Sequence, residues 1–139
     1  MPSISTRPAW IAPAPPCGGT AGGACAFVLG DAMAVDRLLP GPVDYVLLAN
    51  ALHGVPDQPR LARAIAAALR PGGRLAVVNW HARPREQTTV LGAPHGPATE
   101  TRMPPEAVVA LFALAGFRGE RIIALPPYHY GIVLDSSRV

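Results

Sequence analysis

Hydrophobic and polar positions alternate along this chain in blocks that change period, and the blocks predict a strand and helix order. Residues 1–24 show neither helical nor strand periodicity and are expected to form an arm outside the fold. "CAFVLGDA", residues 25–32, is a short apolar run closed by Gly30 and Asp31, the pattern of a buried strand, and "AMAVDRLL" supplies a helical turn or two before "PGP". "VDYVLLAN", residues 43–50, is nearly continuous apolar sequence of strand length, as expected of a parallel strand covered on both faces. Asp57 is placed to cap a helix with Pro59 in its first turn, and Leu61, Ile65 and Leu69 share one helical face. "RPGG" stops that helix, and "RLAVVNW" predicts the next strand.

Residues 82–103 are rich in Pro, Gly and Thr without clear periodicity, and predict a long loop. "PPEAVVALFALAG" then opens with prolines, places Val108, Leu111, Phe112 and Ala115 on one face, and stops at Gly116. "ERIIAL", two prolines and "YHYGIVLD" predict a closing antiparallel hairpin. Strand, helix, strand, helix, strand and hairpin is an α/β order with right-handed crossovers. Ligands of such sheets gather at the carboxyl ends of the parallel strands, and the residues leaving those ends are Asp31, Asn50 to His53, and Asn79 to His81. An antiparallel last strand adds Tyr128 to Tyr130 to the same edge.

Composition changes this picture little. The 139 residues suffice for one domain with a sizeable core, half are hydrophobic, and no apolar run reaches the roughly 18 residues of a membrane span. All twelve basic residues are arginine and lysine is absent; the arginines are scattered, with no basic stripe interleaved by aromatics, which argues against nucleic acid. Cys17 and Cys25 form no CxxC and cannot complete a zinc site, so no metal is expected. No export signal is visible, and a cytoplasmic location is the expectation.

"LGDA" at 29–32, "VDYVLLANALHGVPD" at 43–57, "LRPGGRLAVV" at 69–78 and the "AGFR" helix end before a hairpin together resemble the C-terminal two thirds of a class I S-adenosylmethionine-dependent methyltransferase, over residues 25–139. The resemblance implies a Rossmann-like sheet, S-adenosylmethionine as cofactor and a small-molecule methyl acceptor. It implies that Asp31 accepts a hydrogen bond from the adenine amino group, that Ala32 offers a backbone donor, and that Ala49, Asn50 and Leu52 approach the methionine end of the cofactor. Asp31 has a second reading as the cap of the following turn. His53, His81 and His129 are the candidate bases, since an imidazole titrates near neutral pH, and Trp80, Tyr128 and Tyr130 are candidate walls of the acceptor pocket, with a place in the core as the other reading.

The family's first strand and GxGxG loop have no clear counterpart before Asp31; "CGGTAGG" at 17–23 is glycine-rich but lacks the strand that should lead into such a loop. The chain is therefore expected to be a truncated methyltransferase, with a catalytically inactive remnant or dimerising partner as the alternative and a dinucleotide-dependent oxidoreductase fragment as a second. The strand from Val43 to Asn50 is expected to have an unpaired edge, through which a homodimer would form.

Overall fold

A computed structural model of the protein describes residues 27–137. The arm at 1–24, both cysteines and the "CGGTAGG" stretch lie outside the described residues. The elements in chain order are α1 (Val35–Leu38), β1 (Val43–Ala49), α2 (Gln58–Ala68), β2 (Leu69–Trp80), β3 (Thr89–Val90), β4 (Ala93–Pro94), α3 (Pro105–Ala113), β5 (Phe117–Leu125) and β6 (His129–Ser136). Four strands form one sheet in the order β1, β2, β6, β5. β1 runs parallel to β2, while β6 is antiparallel to both β2 and β5, so the closing hairpin is present as expected.

The crossover from β1 to β2 is α2. Asp57 caps it, its carboxylate accepting from the Arg60 amide at 3.1 Å, and Pro59 lies in the first turn where a missing N–H costs nothing. Leu61, Ile65 and Leu69 are all buried, as the periodicity predicts. Leu69, expected on the helix, is instead extended and opens β2, so the strand begins five residues before the expected Arg74 and "RPGG" forms a bulge within it. Val43 pairs with Leu69 and Tyr45 with Arg74, so the extra residues between Leu69 and Arg74 are looped out of the ladder. Gly72 sits at φ +76, where a side chain would cost about 1–2 kcal/mol. A Cβ on Gly73 would come within 2.9 Å of the Arg70 carbonyl oxygen and 3.1 Å of that of Asp44. The glycines are there for the backbone, and bind no ligand in this arrangement.

Alternation along the strands gives the sheet two unlike faces. One presents Leu75 and Val77 of β2 and Ile132 and Leu134 of β6 to Leu61 and Ile65 of α2 and to Val108 and Phe112 of α3; all are buried in one core. Phe112 meets Phe117 edge to face, with centroids 5.6 Å apart, and Gly116 at φ +93 ends the helix segment between them. The opposite face, with Tyr45 and Leu47 of β1 and Ile123 and Leu125 of β5, leaves these apolar side chains exposed. Among the described residues, cover is supplied to β1 on one face, where the expectation was both.

Two other expectations are revised. In the strand expected over residues 25–32, Phe27, Val28 and Leu29 pair with no strand and are exposed, because a ladder needs a neighbour and none of the described residues supplies one. The long loop at 82–103, in contrast, is folded: 3-10 turns at Arg85–Gln87 and Thr99–Thr101 bracket the small β3–β4 hairpin.

Candidate functional site

Register decides which side chains meet at the carboxyl end of β2. Trp80 lies opposite His129 and Asn79 opposite Tyr130, so alternation sends the first pair to the bare face and the second to the core face. Tyr130 is accordingly buried, its hydroxyl donating to the Met103 carbonyl, and burial raises its pKa. Of the two readings for this tyrosine, the core one holds in the described structure. Trp80 and Tyr128 remain half-buried, their rings nearly parallel with centroids 6.0 Å apart. The His129 ring lies 4.3 Å from the indole, and the His81 ring 5.2 Å from Tyr130. The His81 amide donates to the Tyr128 carbonyl at 2.7 Å, which ties the end of β2 to the entry of β6.

His129 is held below the ordinary imidazole value of 6.5, first by burial and then by the neighbouring charges of His81 and Arg102. It is therefore neutral at neutral pH and available as a proton acceptor. Its Nε2 is buried with no hydrogen-bond partner among the described residues, as are Asn79 Oδ1 and Arg102 Nη1. Three such atoms at one strand end are unusual, since buried polar groups are nearly always paired.

The folded loop brings Arg102 to this corner. Its guanidinium lies over the Trp80 ring, 5.2 Å from the centroid, and it donates from Nε to the Pro97 carbonyl at 3.1 Å and from Nη2 to the Thr88 hydroxyl and the His95 carbonyl, each at 3.0 Å. Arg85 clasps the same loop through the carbonyls of Gly96 and Pro94, at 3.0 and 3.2 Å, and the Tyr128 hydroxyl donates to the Thr89 carbonyl at 2.8 Å. Gly96 has φ +92 and touches the indole so closely that a Cβ would stand 2.9 Å from it. Sequence reasoning passed over Arg102 because the loop has no period; Gly96 followed by Pro97 was the local sign of a tight backbone approach.

Of the residues expected to hold a cofactor, Ala49 and Asn50 stand at the carboxyl end of β1 beside Val78 of β2, and Asp31 and Ala32 stand at the turn before α1. Asp31 is exposed and caps the turn Ala32–Ala34, one carboxylate oxygen accepting from the Met33 amide at 2.9 Å. The capping reading is therefore correct, and it leaves the second oxygen without a partner among the described residues. Ala32, Ala49 and Asn50 are exposed; Asn50 turns the chain at φ +52 and donates its amide to the Val78 carbonyl at 2.8 Å. Leu52 is wholly buried, so only its backbone could serve a ligand, and its carbonyl accepts from the Gln58 side chain at 3.0 Å. His53 is half-buried in the next turn, and no ring contact or hydrogen bond joins it to His81 or His129 among the described residues. A cavity of about 280 Å³ between α1 and α2, lined by Asp36, Arg37, Arg60 and Arg63 among others, contains none of these residues.

The sequence profile of the methyltransferase domain matches residues 8–77, half of the chain. The chain belongs to the methyltransferase domain family. A methyltransferase from Aspergillus terreus, gedG, is 45% identical over 54 residues, which are 39% of this chain and 17% of that protein. Among solved structures, a SAM-dependent methyltransferase from Aquifex aeolicus superposes with a TM-score of 0.59 at 21% identity, over 70% of this chain and 50% of that one. Human N-acetylserotonin methyltransferase in complex with SAM gives 0.58 at 20% identity, over 78% and 33%. A SAM-dependent methyltransferase from Methanosarcina mazei gives 0.62 at 15% identity, over 88% and 72%. The chain thus spans half the length of the Aquifex structure and less than a fifth of the fungal protein. The fold is the Rossmann-like methyltransferase sheet.

S-adenosylmethionine is the cofactor of this methyltransferase family. The described residues fit its polar ends: a solvated carboxylate with one free oxygen at Asp31 and exposed backbone at Ala32, Ala49 and Asn50. Among the described residues no helix is long and apolar enough to cross a membrane, and no group of three His, Cys, Asp or Glu side chains could hold a metal ion.

Proposed function

We propose that this methyltransferase chain transfers a methyl group to a small molecule seated against Trp80 and Tyr128, with His129 taking the proton that the acceptor loses. The observation that carries this reading is the His129 imidazole, kept neutral by burial and nearby charge and packed at a tilt against the half-buried Trp80, 4.3 Å from its ring, at the ligand edge of the sheet. Bound S-adenosylmethionine would supply an electrophilic methyl on sulfur. Asp31 and the Ala32 backbone would hold its adenine end, and the exposed backbone at Ala49 and Asn50 its methionine end.

The protein's contribution is chiefly placement, since in-line displacement gains most from proximity and orientation. Trp80 and Tyr128 offer an apolar wall, and the folded loop at 82–103 excludes water from the corner where charge develops. His129 would take the acceptor's hydrogen as a proton, leaving the acceptor's lone pair free to receive the methyl group that bound cofactor would supply, with the demethylated thioether as leaving group. His53 and His81 lack this setting: among the described residues neither ring packs against the indole, and the His81 ring meets Tyr130 instead.

The edge of β1, unpaired among the described residues, supports a second copy of the chain as partner. A two-fold axis at Val46 would set Tyr45 against the partner strand's Leu47, both exposed on the bare face, while the two edges complete each other's backbone hydrogen bonds.

Calorimetric titration of the full chain with S-adenosylmethionine, its demethylated product and a nicotinamide dinucleotide tests the reading. Saturable binding of the first two and not the third is expected. Binding of none would leave an inactive remnant or dimerising partner, and binding of the dinucleotide alone would reassign the chain to redox chemistry.

A further inference from the structure

Arg102 is a cation without a counter-ion among the described residues. Only 8% of it is exposed, yet the two ion pairs among the described residues, Arg70 with Asp44 and Arg74 with Asp135, lie elsewhere on the surface. Its formed hydrogen bonds go to two carbonyls and one hydroxyl, all neutral acceptors. Burying a charge without an opposite charge is expensive, and a protein that keeps one there normally meets it with an anion. Burial first, and then the charge of Arg85, push the Arg102 pKa down, with Glu86 offsetting part of this. The cation is therefore under-compensated by the described residues.

The unused part of the fork faces a shared problem. Arg102 Nη1 and His129 Nε2 are both buried and unpartnered, and both groups pack on the one indole of Trp80, the guanidinium 5.2 Å and the imidazole 4.3 Å from its ring centroid. Nε and Nη2 are spent on the loop, so the guanidinium cannot swing to another partner without undoing Pro97, Thr88 and His95. A fixed donor of this kind suits one ligand oxygen carrying negative charge. Water would satisfy the hydrogen bonds and leave the charge unmet. The surrounding surface is aromatic, with Trp80 and Tyr128 half-buried at the rim, so the body attached to that oxygen should be flat and apolar.

We infer that Arg102 Nη1 and His129 Nε2 form an anion-binding subsite against Trp80 that takes the carboxylate of an aromatic acid, Nε2 donating its hydrogen to that carboxylate while Nδ1 keeps the lone pair that accepts the proton, which makes such acids the substrate class of this methyltransferase. The inference rests on the reading of this corner as the acceptor site. In it Arg102 is the specificity-determining residue, and Gly96 is the residue that lets the loop carry it close enough to the indole.

Fluorescence of Trp80, read in the full chain with Trp10→Phe to remove the other indole, tests this directly. Benzoate is the probe and benzamide its uncharged isostere. Saturable quenching by benzoate, at least about tenfold tighter than by benzamide, is expected, since a hydrogen bond to a charged group contributes about 1.5–3 kcal/mol. Arg102→Met should erase that preference and Arg102→Lys, which keeps the charge but loses the fork, should weaken it. His129→Gln, which leaves the loop's own hydrogen bonds in place, guards against a variant at Arg102 that fails to fold. Equal quenching by the two probes, or undiminished benzoate binding in a folded Arg102→Met chain, would overturn the inference. Titration with S-adenosylmethionine separates the two readings: cofactor binding without benzoate preference removes the subsite alone, and benzoate preference without cofactor binding removes the methyltransferase reading of this chain while the anion site stands.

Discussion

The two faces of the four-stranded sheet are made from the same strands and have opposite fates. On one, α2 and α3 cover Leu75, Val77, Ile132 and Leu134; on the other, Tyr45, Leu47, Ile123 and Leu125 stay exposed although they are equally apolar. What differs is the partner. The loop at 82–103 is the exception on the bare side, because it folds over Trp80 and His129 at the carboxyl end and buries Arg102 there. Stability should therefore reside on the helix face, and chemistry and association on the other.

The most severe test of that division is Phe112→Ala. Phe112 is fully buried and meets Phe117 edge to face, so the truncation leaves a cavity between α3 and the sheet. A loss of about 3–5 kcal/mol is expected in denaturant unfolding, which would consume much of the stability of a chain this size. A loss below about 1 kcal/mol would show that the helix face is not where the fold is held.

Much of that face was legible from sequence. Leu61 and Ile65 at helical spacing and the Asp57 cap each carry a local rule and are seen as expected, whereas Leu69 leaves the helix and opens β2, five residues before the strand start read at Arg74, with "RPGG" as a bulge inside the strand. The hairpin followed from two apolar runs about a proline pair. Less legible was whatever depends on a neighbour. Continuous apolar sequence in "VDYVLLAN" predicts cover on both sides, yet cover is supplied by other elements, and the described residues supply it on one. "CAFVL" has strand composition, and residues 27–29 form no strand for want of a ladder. Arg102 lies in a stretch with no period, where one arginine among twelve carries no signal; its burial follows from Gly96, Thr88 and Trp80 meeting in space. Histidines at the ligand edge were readable by counting residues past the strand ends, but which of them packs against the indole was not.

At the corner where the bare face is covered, His129 makes a smaller prediction. Its pKa is depressed in the folded chain, by burial before the His81 and Arg102 charges, so between that lowered value and the ordinary 6.5 the unfolded chain binds more protons. Stability from this group is present above pH 6.5 and is lost as pH falls through the folded value. Denaturant midpoints for the parent and His129→Gln should converge on acidification below pH 6.5. Parallel midpoint curves across that window would show that the corner is open to water like the rest of the face.

The smallest effect on folding is expected from Leu47→Lys. Leu47 is 63% exposed on the edge strand, so replacing it costs the isolated chain little, within about 0.5 kcal/mol of the parent. Its effect should appear in association. If β1 pairs with a second copy about Val46, each dimer places two lysines beside Tyr45 side chains in the seam, and edge lysines are the usual means by which proteins block such pairing. Light scattering against concentration should then show the parent moving from monomer to dimer while the variant stays monomeric with an unchanged denaturant midpoint. A variant that is both monomeric and destabilised would mean that the face is bare only in the isolated chain, with its stability drawn from the partner copy. A variant that dimerises as the parent does would move the interface off this edge.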